Sequence, residues 1–217
     1  MMRKFPLVLA ALLLASSAAF ADTTYDNSAS ADTTIFYFGY NNTPTYGETF
    51  SAPVSDTTLN SFSLFLNAGE ISGHVQAYIG TWTGTSTGVG SILYTSSPVT
   101  VTGSNQEFTF DTGGLSLVSG GEYVAFLTAS SDFAGYAYMP GVSTSGTIPG
   151  GKFVYSGSND VSGLIGAGWS DFSVPDAQFV ANFSGGGVTA TPEPSSFLLL
   201  GTGLAGFAGV LRRKFAR

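Results

Sequence analysis

The sequence predicts an all-β fold, an antiparallel β-sandwich of jelly-roll type, and three observations predict it. Aromatic residues make up 14% of the chain and charged residues only 10%, against about 25% charged in ordinary soluble domains. Glycine is abundant, at 29 residues, and recurs in pairs between short runs of β-branched and aromatic residues. Several of those runs place apolar side chains at every second position, the period of a strand with one buried face. A helical bundle would need far more Glu, Lys, Leu and Ala, and a disordered chain would lack the aromatics.

The elements follow along residues 22–184. Thr33–Phe38 (TTIFYF) is aromatic and β-branched. Thr58–Leu66 (TLNSFSLFL) puts Leu59, Ser61, Ser63 and Phe65 on one face and Phe62, Leu64 and Leu66 on the other. Gly73–Ile79 (GHVQAYI) alternates more cleanly, with Val75, Ala77 and Ile79 facing in and His74, Gln76 and Tyr78 facing out. Further strands are expected at 91–95, 99–102, 107–110, 122–128, 152–155 and 177–183, giving about eight to ten short strands of sandwich or barrel type. Gly113-Gly114, Gly120-Gly121 and Gly150-Gly151 read as the punctuation between them. No internal repeat stands out, and no helix of useful length is expected before residue 196.

Charge is distributed unevenly. The net charge is −7, yet six of the seven basic residues lie in the terminal segments: Arg3, Lys4, Arg212, Arg213, Lys214 and Arg217. Between Asp22 and Ala190, thirteen acids face Lys152 alone. Such a surface repels phosphate backbones, which excludes a nucleic-acid partner. An acidic surface ordinarily keeps a protein soluble. Ca²⁺ bound by clustered carboxylates and carbonyls is the alternative, although no Asp/Asn loop of EF-hand spacing is present. No other cofactor is expected. With no cysteine, disulfides, thiolate catalysis and Cys-ligated metals are excluded together.

Both ends look like addresses. Residues 1–21 read as a signal peptide: Arg3 and Lys4 precede the apolar stretch Phe5–Ala15, and Ala19 and Ala21 supply the small residues that direct cleavage before Asp22. The apolar run is too short to cross a hydrocarbon core of about 30 Å comfortably. At the other end, a glycine-rich linker over 185–191 leads to Pro192-Glu193-Pro194, then the apolar stretch Phe197–Leu211, then Arg212-Arg213-Lys214. Two prolines hold the backbone extended, a form that a processing enzyme's groove accepts. The apolar stretch is expected to be a short transmembrane helix, with the basic cluster fixing its end on the cytoplasmic side.

This layout resembles the PEP-CTERM sorting signal, in which a Pro-Glu-Pro motif, a short transmembrane helix and a basic cluster follow in that order. The resemblance implies sorting and processing by a membrane-embedded exosortase, with Pro192, Glu193 and Pro194 as the recognition element and Arg212, Arg213 and Lys214 as the stop. It also implies a cell that makes extracellular polysaccharide. The stretch from Thr57 to Leu127 (TTLNSFSLFL, GSILYTS and FTFDTGGLSLVSGGEYVAFL) is similar to domains found ahead of such tails, a likeness that supports the fold and assigns no activity.

Within the domain, chemistry is sparse. His74 is the sole histidine, and no G-x-S-x-G motif supplies a nucleophile for a hydrolase triad. Thirteen acids offer many pairings for a glycosidase, but sequence places no two of them together. No catalytic or metal-ligating set is therefore expected. Trp82, in Gly80-Thr-Trp-Thr-Gly84, and Trp169, in Gly166-Ala-Gly-Trp-Ser-Asp171, sit in loop-like settings. Exposed, they would stack on sugar rings, with Asp171 and Asn159 near enough in sequence to meet hydroxyls. Buried, each indole would cap the sandwich edge with its N–H bonded to a carbonyl. The expectation is a non-enzymatic exported protein of the cell envelope or extracellular matrix, processed by signal peptidase and exosortase. A carbohydrate-binding module acting on extracellular polysaccharide is the second reading.

Overall fold

The computed structural model describes residues 22–68, 72–144, 146–172, 174–185 and 202. The signal-peptide residues (including Ala19 and Ala21), Pro192, Glu193, Pro194, the stretch 197–211 apart from Thr202, and Arg212 to Lys214 lie outside them. Among the described residues no helix is long and apolar enough to cross a membrane.

Among the described residues fourteen strands form two sheets. One contains β1 (Thr24–Asp26), β2 (Thr33–Phe38), β4 (Thr58–Ala68), β8 (Gln106–Ser116), β10 (Ala137–Val142), β13 (Asp176–Ala177) and β14 (Phe179–Ser184). The other contains β3 (Thr45–Ser51), β5 (His74–Trp82), β6 (Val89–Thr95), β7 (Val99–Thr100), β9 (Glu122–Ala129), β11 (Lys152–Ser156) and β12 (Ser170–Asp171). Every pairing between these strands is antiparallel. From β2 to β5 and from β8 to β11 the chain changes sheet at each connection, as jelly rolls do. Hydrogen-bonded neighbours such as β3, β9 and β11 are consequently distant in sequence.

The main core lies between the sheets and is built on aromatic rings. Phe50 stacks on Phe179 across it at 5.7 Å, and Tyr46 meets Phe153 edge-on at 5.0 Å. Val75, Ala77 and Ile79 point into this core, as the alternation requires. Leu59 joins Phe62, Leu64 and Leu66 there, although strict alternation put it on the opposite face. The register of β4 against β8 shifts between Leu59 and Ser61, and a bulge of this kind inverts the phase of everything beyond it. Opposite that shift lie Gly113 and Gly114, with φ of 69° and 84°. They do not separate two strands, as expected, but supply the left-handed backbone of a bulge inside β8.

A second, smaller cluster covers the outer face of the β3 sheet. Tyr78, Val124, Phe126 and Val154 project outward and are closed over by Leu164 and Trp169 from the segment between β11 and β12. This cover explains why Tyr78 is buried although its position was expected to face solvent. Trp169 is only 5% exposed, its N–H donates to the Leu164 carbonyl at 3.2 Å, and its ring meets Phe126 at 5.4 Å. Half-buried Trp82 packs edge-on against it at 5.7 Å.

The core also contains acids. Glu48 shares the inward face of β3 with Tyr46 and Phe50, and Asp176 comes from the facing sheet; neither has exposed surface. Glu48 Oε2 accepts the Ala177 N–H at 2.6 Å, bridging the sheets. Asp176 Oδ2 accepts the Thr147 hydroxyl. Asn27 closes the knot, donating to the Ala177 carbonyl at 2.9 Å and accepting the Phe179 N–H at 2.7 Å. Burial pushes the Glu48 carboxyl well above the usual range, opposed by the Ala177 amide and reinforced by the charge of Asp176.

Because Trp169 caps the outer cluster, Trp169→Ala is expected to lower the unfolding free energy by about 3–5 kcal/mol. A urea titration measures this, and a change below about 1 kcal/mol would mean that the cap carries no structural weight.

Candidate functional site

The surface feature least explained by folding is a closed ring of four aromatic side chains where β2 meets β10. Phe36 and Tyr37 are each 54% exposed, Tyr136 is 44% exposed and Tyr138 is partly buried. The centroid distances run around a circuit: Phe36–Tyr37 at 5.7 Å, Tyr37–Tyr136 at 5.4 Å, Tyr136–Tyr138 at 5.5 Å and Tyr138–Phe36 at 5.1 Å. Three of the four contacts are edge-to-face, a favourable arrangement of ring quadrupoles worth about 0.5–1.5 kcal/mol per pair. The rings therefore hold one another in place while leaving apolar area in water.

Local backbone geometry produces this exposure. Ile35 and Phe38 point into the core, so only one outward residue would fit between them in a regular strand of that phase. Instead β2 carries an extra residue: Ile35 to Phe38 spans the same length of β10 as Met139 to Ala137. Tyr37 absorbs the irregularity with φ of +68°, a left-handed conformation uncommon for a bulky side chain. Both Phe36 and Tyr37 then face outward. The strained segment is fixed by hydrogen bonds, since Thr43 N–H donates to the Tyr37 carbonyl at 3.1 Å and the Tyr46 hydroxyl donates to the Phe36 carbonyl. Strain of this kind persists where the surroundings impose it and concentrates at functional sites. The hydrogen bond with Tyr136 raises the pKa of the Tyr138 phenol above its ordinary value.

The residues expected from sequence to stack on sugars are placed elsewhere. Trp169 lies under the loop cluster with its N–H satisfied internally, which removes it as a platform and corrects that expectation. Trp82 is half-buried and packs edge-on against Trp169. Asp171, expected near the Trp169 loop to meet hydroxyls, forms an ion pair with Lys152, whose hydrogen bond and charge lower its carboxyl below the usual range. His74 is not solitary: its Nδ1 lies 2.5 Å from Asp132 Oδ2, a pair on the surface in which the histidine holds the Asp132 carboxyl below its ordinary value. No serine, threonine or third acid is hydrogen-bonded to that imidazole among the described contacts. Among the described residues no group of three or more His, Cys, Asp or Glu side chains could hold a metal ion. The carboxylates that do meet, Glu48 and Asp176, have no surface open to a substrate.

Comparison with known proteins bears on the tail. Residues 190–214 match the PEP-CTERM protein-sorting motif, the stretch containing Pro192-Glu193-Pro194 and Arg212-Arg213-Lys214. No curated protein and no solved structure matches the chain. The fold and tail together define an exported β-sandwich protein with a sorting signal. The chain carries the PEP-CTERM motif, and that motif marks it as an exported protein targeted by an exosortase for surface localisation.

If the φ of Tyr37 is held by its surroundings, replacing it with glycine relieves strain. Tyr37→Gly is expected to leave the unfolding free energy unchanged or raise it by up to about 1 kcal/mol despite losing an aromatic ring. A loss above about 2 kcal/mol in chemical denaturation would instead assign Tyr37 to the structural core.

Proposed function

We propose that this protein is a non-enzymatic component of the cell envelope or extracellular matrix, and that its sandwich binds extracellular polysaccharide through Phe36, Tyr37, Tyr136 and Tyr138. The observation that carries this reading is the four-ring aromatic patch held in water by a strained bulge. A sugar ring presents an apolar C–H face that packs on aromatic faces, and the tyrosine hydroxyls offer hydrogen bonds at the rim. An acidic domain with one lysine suits neutral glycans better than acidic ones. Sorting supplies the location. In this reading signal peptidase cuts after Ala21, the helix over 197–211 holds the chain in the membrane, and the exosortase recognises Pro192, Glu193 and Pro194, with Arg212, Arg213 and Lys214 as the stop.

Phe36→Ala with Tyr136→Ala is expected to weaken retention on neutral polysaccharide at least about tenfold, the loss of one to two stacking contacts, while the melting temperature stays within a few degrees. Affinity electrophoresis in gels containing the producing cell's own polysaccharide measures this, with Trp82→Ala as a variant expected to bind normally. Equal retention of the double variant and the unmodified protein would remove the aromatic patch from the function. Failure of the unmodified protein to be retarded by any neutral glycan would remove glycan binding itself.

A further inference from the structure

The buried acids leave a charge deficit. Glu48 Oε1 and Asp176 Oδ1 are fully buried and have no well-formed hydrogen bond among the described residues, although the Lys152 amide lies near enough to Glu48 to oppose the effect of burial on its carboxyl. Each belongs to a carboxylate whose other oxygen is already engaged, by the Ala177 N–H and by the Thr147 hydroxyl. Buried carboxylates are normally matched by a basic group or a metal ion, or held neutral by a proton. Lys152 is the one lysine or arginine between Asp22 and Ala190, and it pairs with Asp171 at the surface. Among the described residues no protein cation is left for this pair.

The surroundings supply further oxygen. The segment Thr147–Ile148 runs past both acids: the Thr147 hydroxyl is bonded to Asp176, and Ile148 borders Glu48 at Gly151. A Cβ on Gly151 would sit 2.7 Å from the Ile148 Cβ, 2.8 Å from the Ile148 carbonyl oxygen and 3.0 Å from Glu48 Oε1. This corner is closely packed, and glycine keeps it free of a further side chain. The Ile148 carbonyl accepts the Gly151 N–H at 2.8 Å and retains its second lone pair.

We propose that Glu48, Asp176, the Thr147 hydroxyl and the Ile148 carbonyl form a buried site for Ca²⁺, which clamps the two sheets together. The donors are all oxygen, which selects a hard cation over zinc, copper or iron. Two carboxylates balance a divalent charge. Carboxylates, a carbonyl and a hydroxyl drawn from two strands and a loop make an irregular set, which Ca²⁺ tolerates and Mg²⁺ does not. Two charged ligands give the weak affinity of extracellular modules, with dissociation constants of about 10⁻⁴–10⁻³ M, and export places the domain where Ca²⁺ reaches such concentrations. The site is distant in kind from the aromatic patch and requires no glycan.

The test uses the full chain in detergent, unfolded and refolded in chelator so that a buried ion is removed. Calcium at about a hundredfold excess over its dissociation constant is expected to raise the melting temperature by about 5–10 °C, with one calcium per chain by elemental analysis and a smaller shift with magnesium. Glu48→Gln and Asp176→Asn are each expected to weaken calcium binding at least about tenfold, whereas Asp132→Asn, a surface acid, leaves it unchanged. A melting temperature indifferent to both calcium and chelator, with no metal retained by the unmodified chain, overturns the proposal. In that case a rise in stability from Glu48→Gln would show that a proton holds the pair. Equal weakening by Asp132→Asn would overturn it too, because calcium would then be responding to the acidic surface as a whole.

Discussion

The structure depends on a polar linkage through a largely apolar core: Glu48 of one sheet accepting the Ala177 N–H of the other. Hydrophobic packing brings two sheets together but does not by itself fix how they are set against each other, because apolar contact is non-directional. A hydrogen bond to a buried carboxylate is directional, and its loss strands a polar group in a medium that cannot solvate it. Asn27 and Thr147 extend the linkage to the segment after β1 and to the connection between β10 and β11. Four parts of the chain, remote in sequence, are held in one relative position by it.

That rigidity makes the aromatic patch sustainable. A tyrosine at positive φ and four clustered rings in water both work against stability, the backbone term alone by about 1–3 kcal/mol. The surroundings hold the bulge from both sides: Tyr46, whose ring is packed on Phe153 in the core, donates its hydroxyl to Phe36, and the turn at Asn42-Thr43 fixes Tyr37. Burial pushes the Tyr46 phenol up to about 12, so the hydroxyl remains a donor across the physiological pH range. A rigid frame beneath a strained, exposed feature is the arrangement expected of a binding surface rather than of a core.

Much of the fold was legible in the sequence because most strands bury one face and betray it by alternation. β5 shows this best, with Val75, Ala77 and Ile79 inward. Four strands escaped: β1 and β12, only three and two residues long and too short to show a pattern, and β3 and β10, for identifiable reasons. β3 is buried on both faces and carries Gly47 and Glu48, so neither alternation nor apolar content marks it, and its charged residue argues for a surface. β10 contains Pro140-Gly141, the usual sign of a turn, yet here Pro140 pairs with Thr34 and Gly141 with Thr33. The patch was half visible, since Phe36 and Tyr37 lie in the plainly aromatic run Thr33–Phe38. What sequence could not supply was the bulge that turns two successive residues outward. For the tryptophans, glycine-rich flanks suggested exposed loops, but the loop carrying Trp169 folds back onto a sheet whose outer face is itself apolar, and length along the chain does not reveal that.

The account as a whole rests on the chain being exported and sorted, because only outside the cytoplasm would an acidic, cysteine-free sandwich with an aromatic patch meet extracellular polysaccharide. The most direct measurement is the intact mass of the native protein, taken separately from the membrane fraction and from the surrounding medium. The account predicts a species that starts at Asp22 and has lost the segment beyond the Pro192-Glu193-Pro194 motif, with or without an added group at the new end. A protein that still carries Arg217 in every fraction would contradict it.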